Sequence, residues 1–239
     1  MTEPVSSGSP AAPRARGPAI EGRSLHRFYR VGDEETLALR GVDVQVEPGE
    51  LVAVVGPSGS GKSTLLACLA GLDEPDGGSV TIAGRPISHR SERARARIRA
   101  RHVGMMFQSA NLIEHLTVEQ NVALVQHLGG ITGRTDRADR AALLDSLGLS
   151  HLARRYPSRL SGGESSRAGL AVALANEPEV LLADEPTGEL DTETEAEVLA
   201  LLRRTAERGA AVLIASHSDA VAAAADRRIA LVDGQLVAP

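Results

Sequence analysis

Gly56, Pro57, Ser58, Gly59, Ser60, Gly61, Lys62, Ser63 and Thr64 spell GPSGSGKST, a stretch holding the residue types that a chain of phosphates needs. It fits the spacing G-x-x-x-x-G-K-[ST], with the apolar run LVAVV before it and LLACLAGL after it. The glycines let backbone N–H groups wrap round a phosphate chain. Lys62 would then reach the β- and γ-phosphates, and the Ser63 hydroxyl would ligate Mg²⁺. A strand leading in and a helix leading out complete the pattern of a nucleotide site.

Two carboxylates close a second apolar run, VLLADEP at 180–186. A strand there delivers Asp184 to the carboxyl edge of a sheet, where α/β folds bind ligands, and Asp184 is placed to hold Mg²⁺ through water. Glu185 beside a γ-phosphate could orient and deprotonate water. Alone, the pair would equally suit two solvent-facing carboxylates ending a strand. Beside the glycine loop, the site reading prevails.

A further stretch, LSGGESSR at 160–167, also suits an anion. Ser161 caps a helix, Gly162 and Gly163 allow close backbone approach, and Glu164 completes an S-x-x-E capping box. The first turn would point free N–H groups and the positive end of the helix dipole outward.

These residues need a scaffold, and the hydrophobic pattern supplies one. From Ser24 to Val55 short alternating segments read as strands. GSVTIAG looks like one strand of a hairpin, and HRSERARARIRAR at 89–101 like a basic helix. Residues 109–160 lack long β-rich runs and read as helical pieces. Beyond them come a helix at 162–176, the strand VLLAD, a helix at 191–208, the strand AAVLIAS, a short helix and final strands around RIALVDG. Such alternation implies a mostly parallel sheet wound on both faces. No internal repeat is visible.

The chain has 239 residues, enough for one large domain with a real core. Its net charge of −5 argues against nucleic-acid binding by bulk electrostatics, and the spaced arginines read as a solvated helix face. A single cysteine, Cys68, sits in an apolar run and excludes both an intramolecular disulfide and a cysteine metal cluster. No apolar stretch approaches the ~18 residues of a membrane span, and the N-terminus lacks a signal-peptide core. Residues 1–20, rich in Pro, Ser, Gly and Ala, read as a disordered tail. A cytoplasmic protein is expected, held at any membrane by a partner.

Taken in order, GPSGSGKST, FQ at 107–108, LSGGE at 160–164, LLADEPTGELD at 181–191 and SH at 216–217 resemble the ATP-binding subunit of an ATP-binding-cassette transporter. The resemblance covers nearly everything beyond residue 20, and LSGG between the other motifs is highly specific. FQSANLIEHLTVEQNVAL, YPSRLSGGE and ADEPTGELD further resemble the lipoprotein-release and macrolide-export branch. The implied fold is α/β: a P-loop NTPase core of mostly parallel sheet flanked by helices. An antiparallel β subdomain and an α-helical subdomain inserted at about 109–160 complete one domain, 21–239.

By the same resemblance Tyr29 stacks on adenine, although an ordinary strand aromatic would look the same. Gln108 sits near Mg²⁺ and the attacking water, and His217 hydrogen-bonds the γ-phosphate. Asp191 belongs to a loop that meets a second subunit. The LSGG helix caps the γ-phosphate of ATP held by another copy, so a head-to-tail homodimer sandwiches two MgATP and drives membrane permease subunits. Glu164, Ser165 and Ser166 depart from the family's LSGGQQQR, as do Val172 from its later Arg and Glu189 from its Asn or Ser; together they bear on turnover. The rival readings are a regulatory ATPase that signals through a membrane partner without transport, and a clamp that binds ATP with little turnover.

Overall fold

Apolar runs and glycine-bounded segments settle into two sheets in a computed structural model that describes residues 17–31, 34–107, 111–130, 135–188 and 190–237. The strands are β1 Ile20–Val31, β2 Glu34–Val46, β3 Leu51–Val55, β4 Gly77–Ile82, β5 Arg85–Pro86, β6 Val103–Met106, β7 Val180–Asp184, β8 Ala211–Ala215, β9 Arg227–Val232 and β10 Gln235–Val237. The helices are α1 Lys62–Leu69, α2 Glu92–His102, α3 Val118–Gly129, α4 Thr135–Ser146, α5 Gly162–Ala173, α6 Thr192–Glu207 and α7 Asp219–Ala224. Single 3₁₀ turns lie at Ser150–Leu152 and Pro157–Arg159.

The larger sheet has the order β10-β9-β3-β8-β7-β6. All its neighbours run parallel except β10 against β9. Its central strands carry unbroken apolar runs because both faces are covered. Leu51, Ala53, Leu181, Ala183, Val212 and Ile214 turn toward a core shared with α3, α5 and α6. Val52, Val54, Val180, Leu182, Leu213 and Ala215 turn the other way, onto α1 and the second sheet. Cys68 lies in this second core, where burial pushes its thiol up to about 12 and leaves it a small hydrophobe.

The second sheet, β2-β1-β4-β5, is antiparallel throughout. Gly234 ties it to the first, donating its N–H to the Ser60 carbonyl (3.0 Å) and accepting from the Arg40 N–H (2.8 Å), and Arg227 of β9 donates to the Gln45 carbonyl of β2 (2.6 Å). The parallel strands share a polarity, so the chain segments that follow β3, β7 and β8 leave at one edge. The register aligns Val54 and Asp184 with Ala215 across that edge.

Several boundaries differ from the sequence reading. The end of the expected tail joins the fold, since Ala19 and Ile20 are buried and Ala19 N–H bonds the Val46 carbonyl. The basic helix begins at Glu92 rather than 89, because Ser91 is its N-cap. Helix α5 stops at Ala173, where the chain turns before β7. Among the described residues no helix is long and apolar enough to cross a membrane.

Candidate functional site

Chain and sheet combine to make an open cleft of about 720 Å³ lined by Tyr29, Arg40, residues of the glycine loop, Glu185 and His217. The loop must pass other backbone closely. A Cβ at Gly56 would fall 2.1 Å from the Leu231 carbonyl oxygen. Gly61 has φ +104°, and a Cβ there would lie 2.4 Å from the Ala38 carbonyl oxygen. Only glycine fits these two positions.

Gly61 is also the N-cap of α1, and it offers no side-chain cap. The donors of the first helical turn are therefore left for a ligand. Lys62, the only lysine of the chain, is 8% exposed. Its ammonium bonds the loop's own carbonyls at Gly56 (2.9 Å) and Pro57 (3.1 Å). Ser58, Gly59, Ser63 and Thr64 also line the cleft.

At the sheet edge, Asp184 ends β7 and its Oδ1 is buried with no hydrogen-bond partner among the described residues. An orphaned carboxylate oxygen of this kind fits a cation or its bound water. Among the described residues no three His, Cys, Asp or Glu side chains gather into a metal cage. A hard cation here would take its remaining oxygens from Ser63, phosphate and water, as Mg²⁺ commonly does.

Glu185 adopts φ +47°, unusual for a side chain of this size. Its N–H bonds the Ala215 carbonyl (2.8 Å). Its carboxylate accepts from the Ser216 hydroxyl (2.8 Å) and lies 2.9 Å from His217 Nδ1. Three successive residues leaving β8 thus fix the direction of one carboxylate leaving β7. His217 itself is 72% exposed and free to meet a ligand.

Tyr29 is held from two sides. Its hydroxyl donates to Asp73 (2.7 Å), while the Arg27 guanidinium stands 4.8 Å from the ring centroid. Arg27 is itself gripped by Asp73 (2.7 and 3.0 Å) and Asp76 (3.1 Å). Burial and the bond to Asp73 raise the phenol above its ordinary range, so it stays a donor. The sequence reading missed Arg27, Asp73, Arg40 and the turn at Asp233–Gly234; the Asp-Gly pair between two apolar runs was a hairpin signal for the last.

The structure does not bring Ser161, Gly162, Gly163 or Asp191 into this cleft. Ser161 caps α5, accepting from the Glu164 N–H (3.3 Å), and Glu164 accepts from the Ser161 N–H (2.7 Å), a complete capping box. Asp191 caps α6 through the N–H groups of Glu193 and Thr194. Gln108 and Glu189 lie outside the described residues.

A glycine loop between strand and helix, with carboxylates ending a parallel strand two places along the same sheet, defines the class: a P-loop nucleotide-binding protein. The family described as ABC transporter matches residues 39–188. The lipoprotein-releasing system ATP-binding protein LolD 2 of Caulobacter vibrioides is 44% identical over 220 residues, 92% of this chain and 96% of that protein. The macrolide export ATP-binding/permease protein MacB of Shigella flexneri is 41% identical over 92% of this chain, which spans 34% of that longer protein. Among solved structures, the dimeric ABC transporter cassette MJ0796 has a TM-score of 0.85 and 35% identity, covering 92% of this chain and 97% of that one. The same cassette in a post-hydrolysis state bound to ADP and Pi has a TM-score of 0.85 at 34% identity. The chain belongs to the ABC transporter family, as an ATP-binding and ATP-hydrolysing subunit.

Proposed function

We propose that two copies of this chain close head to tail around two MgATP and, by opening and closing, drive a membrane permease of the lipoprotein-release or macrolide-export kind. The observation that carries this reading is the separation of two anion-suited helix starts. The α1 start opens into the cleft; the α5 start, with Ser161, Gly162 and Gly163, lies outside it and lacks a phosphate in its own chain. A second copy supplies one. The cassette begins by Ala19, with the helical subdomain at about 109–160, and works on the cytoplasmic face of the membrane through the permease.

In this arrangement Tyr29 stacks on adenine and the N–H groups from Gly56 to Thr64 surround the phosphates. Lys62 exchanges its two loop carbonyls for β- and γ-phosphate oxygens. Ser63 and Asp184 hold Mg²⁺, aided by Gln108; the ion supplies charge neutralisation on the β- and γ-phosphates. Glu185 accepts the proton of the attacking water, since a carboxylate with two donors in place still has lone pairs to offer. With Nδ1–H donating to Glu185, a neutral His217 presents Nε2 as an acceptor. To donate to the γ-phosphate, its ring must turn or take a second proton.

Mixed dimers test the shared site. One subunit carries Lys62→Ala and the other Ser161→Arg, which fills the α5 start. One composite site then holds both defects and the other holds none. The expected result is one occluded ATP per permease-bound mixed dimer, against none for either variant alone. Verified mixed dimers without occluded nucleotide would refute the shared site.

A further inference from the structure

The arginine-rich helix α2 takes no part in the nucleotide cleft, and its arginines divide into two sets. Arg95 and Arg99 point inward, where both bind Glu92; Arg95 also pairs with Glu74 and Arg99 donates to the Gly71 carbonyl. Ile98, on the same side, packs against the core of the second sheet. Arg93, Arg97 and Arg101 recur every fourth residue on the opposite side, within an arc of about 80°. All three are exposed, as is Arg90 just ahead of the helix, and none makes a hydrogen bond or ion pair among the described residues. Glu92, the one acid of the helix, is already claimed by the inward set. A chain of net charge −5 therefore carries one rigid, uncompensated row of positive charge.

An exposed apolar group lies near one end of that row. Leu128, 65% exposed, lies near the end of α3, close to the Gly130 that Arg101 approaches. Unpaired cations in a row, with one exposed leucine near their end, suit a surface of anionic headgroups over acyl chains. Guanidinium groups also match phosphate bidentately, better than a lysine row would. Nucleic acid is a poorer fit, because the helix carries no Phe, Tyr or Trp on which a base could stack.

We propose that the outer face of α2 lies against the anionic phospholipid surface of the membrane, steadying the subunit beside its permease. The idea rests on the membrane location proposed above, but it is tested without the permease. The full-length chain is mixed at low salt with vesicles of phosphatidylcholine, either alone or with about one-third phosphatidylglycerol, and bound protein is measured by sedimentation. The parent should bind the anionic vesicles and not the neutral ones, and added salt should release it. Arg93→Gln, Arg97→Gln and Arg101→Gln together should weaken binding about 10²-fold, taking roughly 5-fold for each charge near such a surface. The same three positions as Lys should retain most of the binding, and every variant should bind ATP as the parent does. The proposal is overturned if the parent ignores anionic vesicles, if it binds neutral ones equally well, or if the triple Gln variant binds like the parent. It is also overturned if the row's charge matters only for binding a duplex oligonucleotide. None of these results bears on ATP-driven dimerisation, which is read separately.

Discussion

Helices α1 and α5 begin in opposite ways, although both starts suit an anion. At α1 the cap is a glycine that gives nothing, and the neighbouring cation is parked on loop carbonyls. At α5 the cap is a serine, and a glutamate has folded back so that helix and cap satisfy each other. The first is an open receptor for phosphate, and ligand binding completes its hydrogen bonding. The second is a finished, stable helix end that keeps only its remaining N–H groups and its dipole for a visitor, with a carboxylate alongside. In the proposed dimer, one start would hold the nucleotide and the other would meet it and let it go.

The strongest way to sharpen this contrast is to stop the reaction while both starts hold phosphate. Glu185→Gln should lower hydrolysis by about 10²- to 10⁴-fold while ATP stays bound. An ATP-dependent dimer should accumulate, visible by light scattering; parental turnover in this variant would remove Glu185 from the base role. Lys62→Ala strips the cation from the open start. With a charge-assisted bond worth roughly 1.5–3 kcal/mol, ATP affinity should fall about 10- to 150-fold by equilibrium titration, and hydrolysis should collapse in a folded protein.

Elsewhere in the cleft, Tyr29→Ala should weaken ATP by about 1–3 kcal/mol, the worth of a stacked base, with little change in kcat at saturation. Arg27→Gln leaves the ring but frees it from its clamp, so a smaller rise in KM is expected, again with kcat kept. The smallest effect belongs to the closed start. Glu164→Gln can still reach the Ser161 N–H, so thermal stability should hold near neutral pH, and removal of a negative charge beside phosphate should tighten ATP-driven dimerisation a few-fold. The Ser161 N–H holds the Glu164 carboxyl below its usual range. Its stabilising contribution is thus present above the ordinary carboxylate pKa and is lost as pH falls through the lowered value; the Gln variant should lack that acid dependence in thermal melts.

Much of this was readable in the chain because local chemistry decided it. The glycine loop, the capped start of α5 and the buried parallel strands depend on neighbours within a few residues, and a short stretch records them. What escaped depends on contacts between distant segments. Arg27 and Asp73 are far apart in sequence and meet only because β1 passes the end of α1. The positive φ of Glu185 arises from its bonds to three successive residues leaving β8, which nothing in ADEP foretells. The start of the basic helix at 92 and the end of α5 at 173 each differ from the sequence reading by three residues, because a cap or turn outweighed the residue pattern.

Gly234 joins the sheet that carries Tyr29 to the loop that carries Lys62, using both polar atoms of its own backbone. That makes it the gauge block of the cleft. Base and phosphate platforms cannot drift apart without breaking one of two hydrogen bonds, so the span between them is set before any nucleotide arrives. In the proposed complex, a ligand would thereby be measured from base to terminal phosphate: a nucleoside monophosphate stacked on Tyr29 would stop short of Glu185, and a triphosphate would reach it.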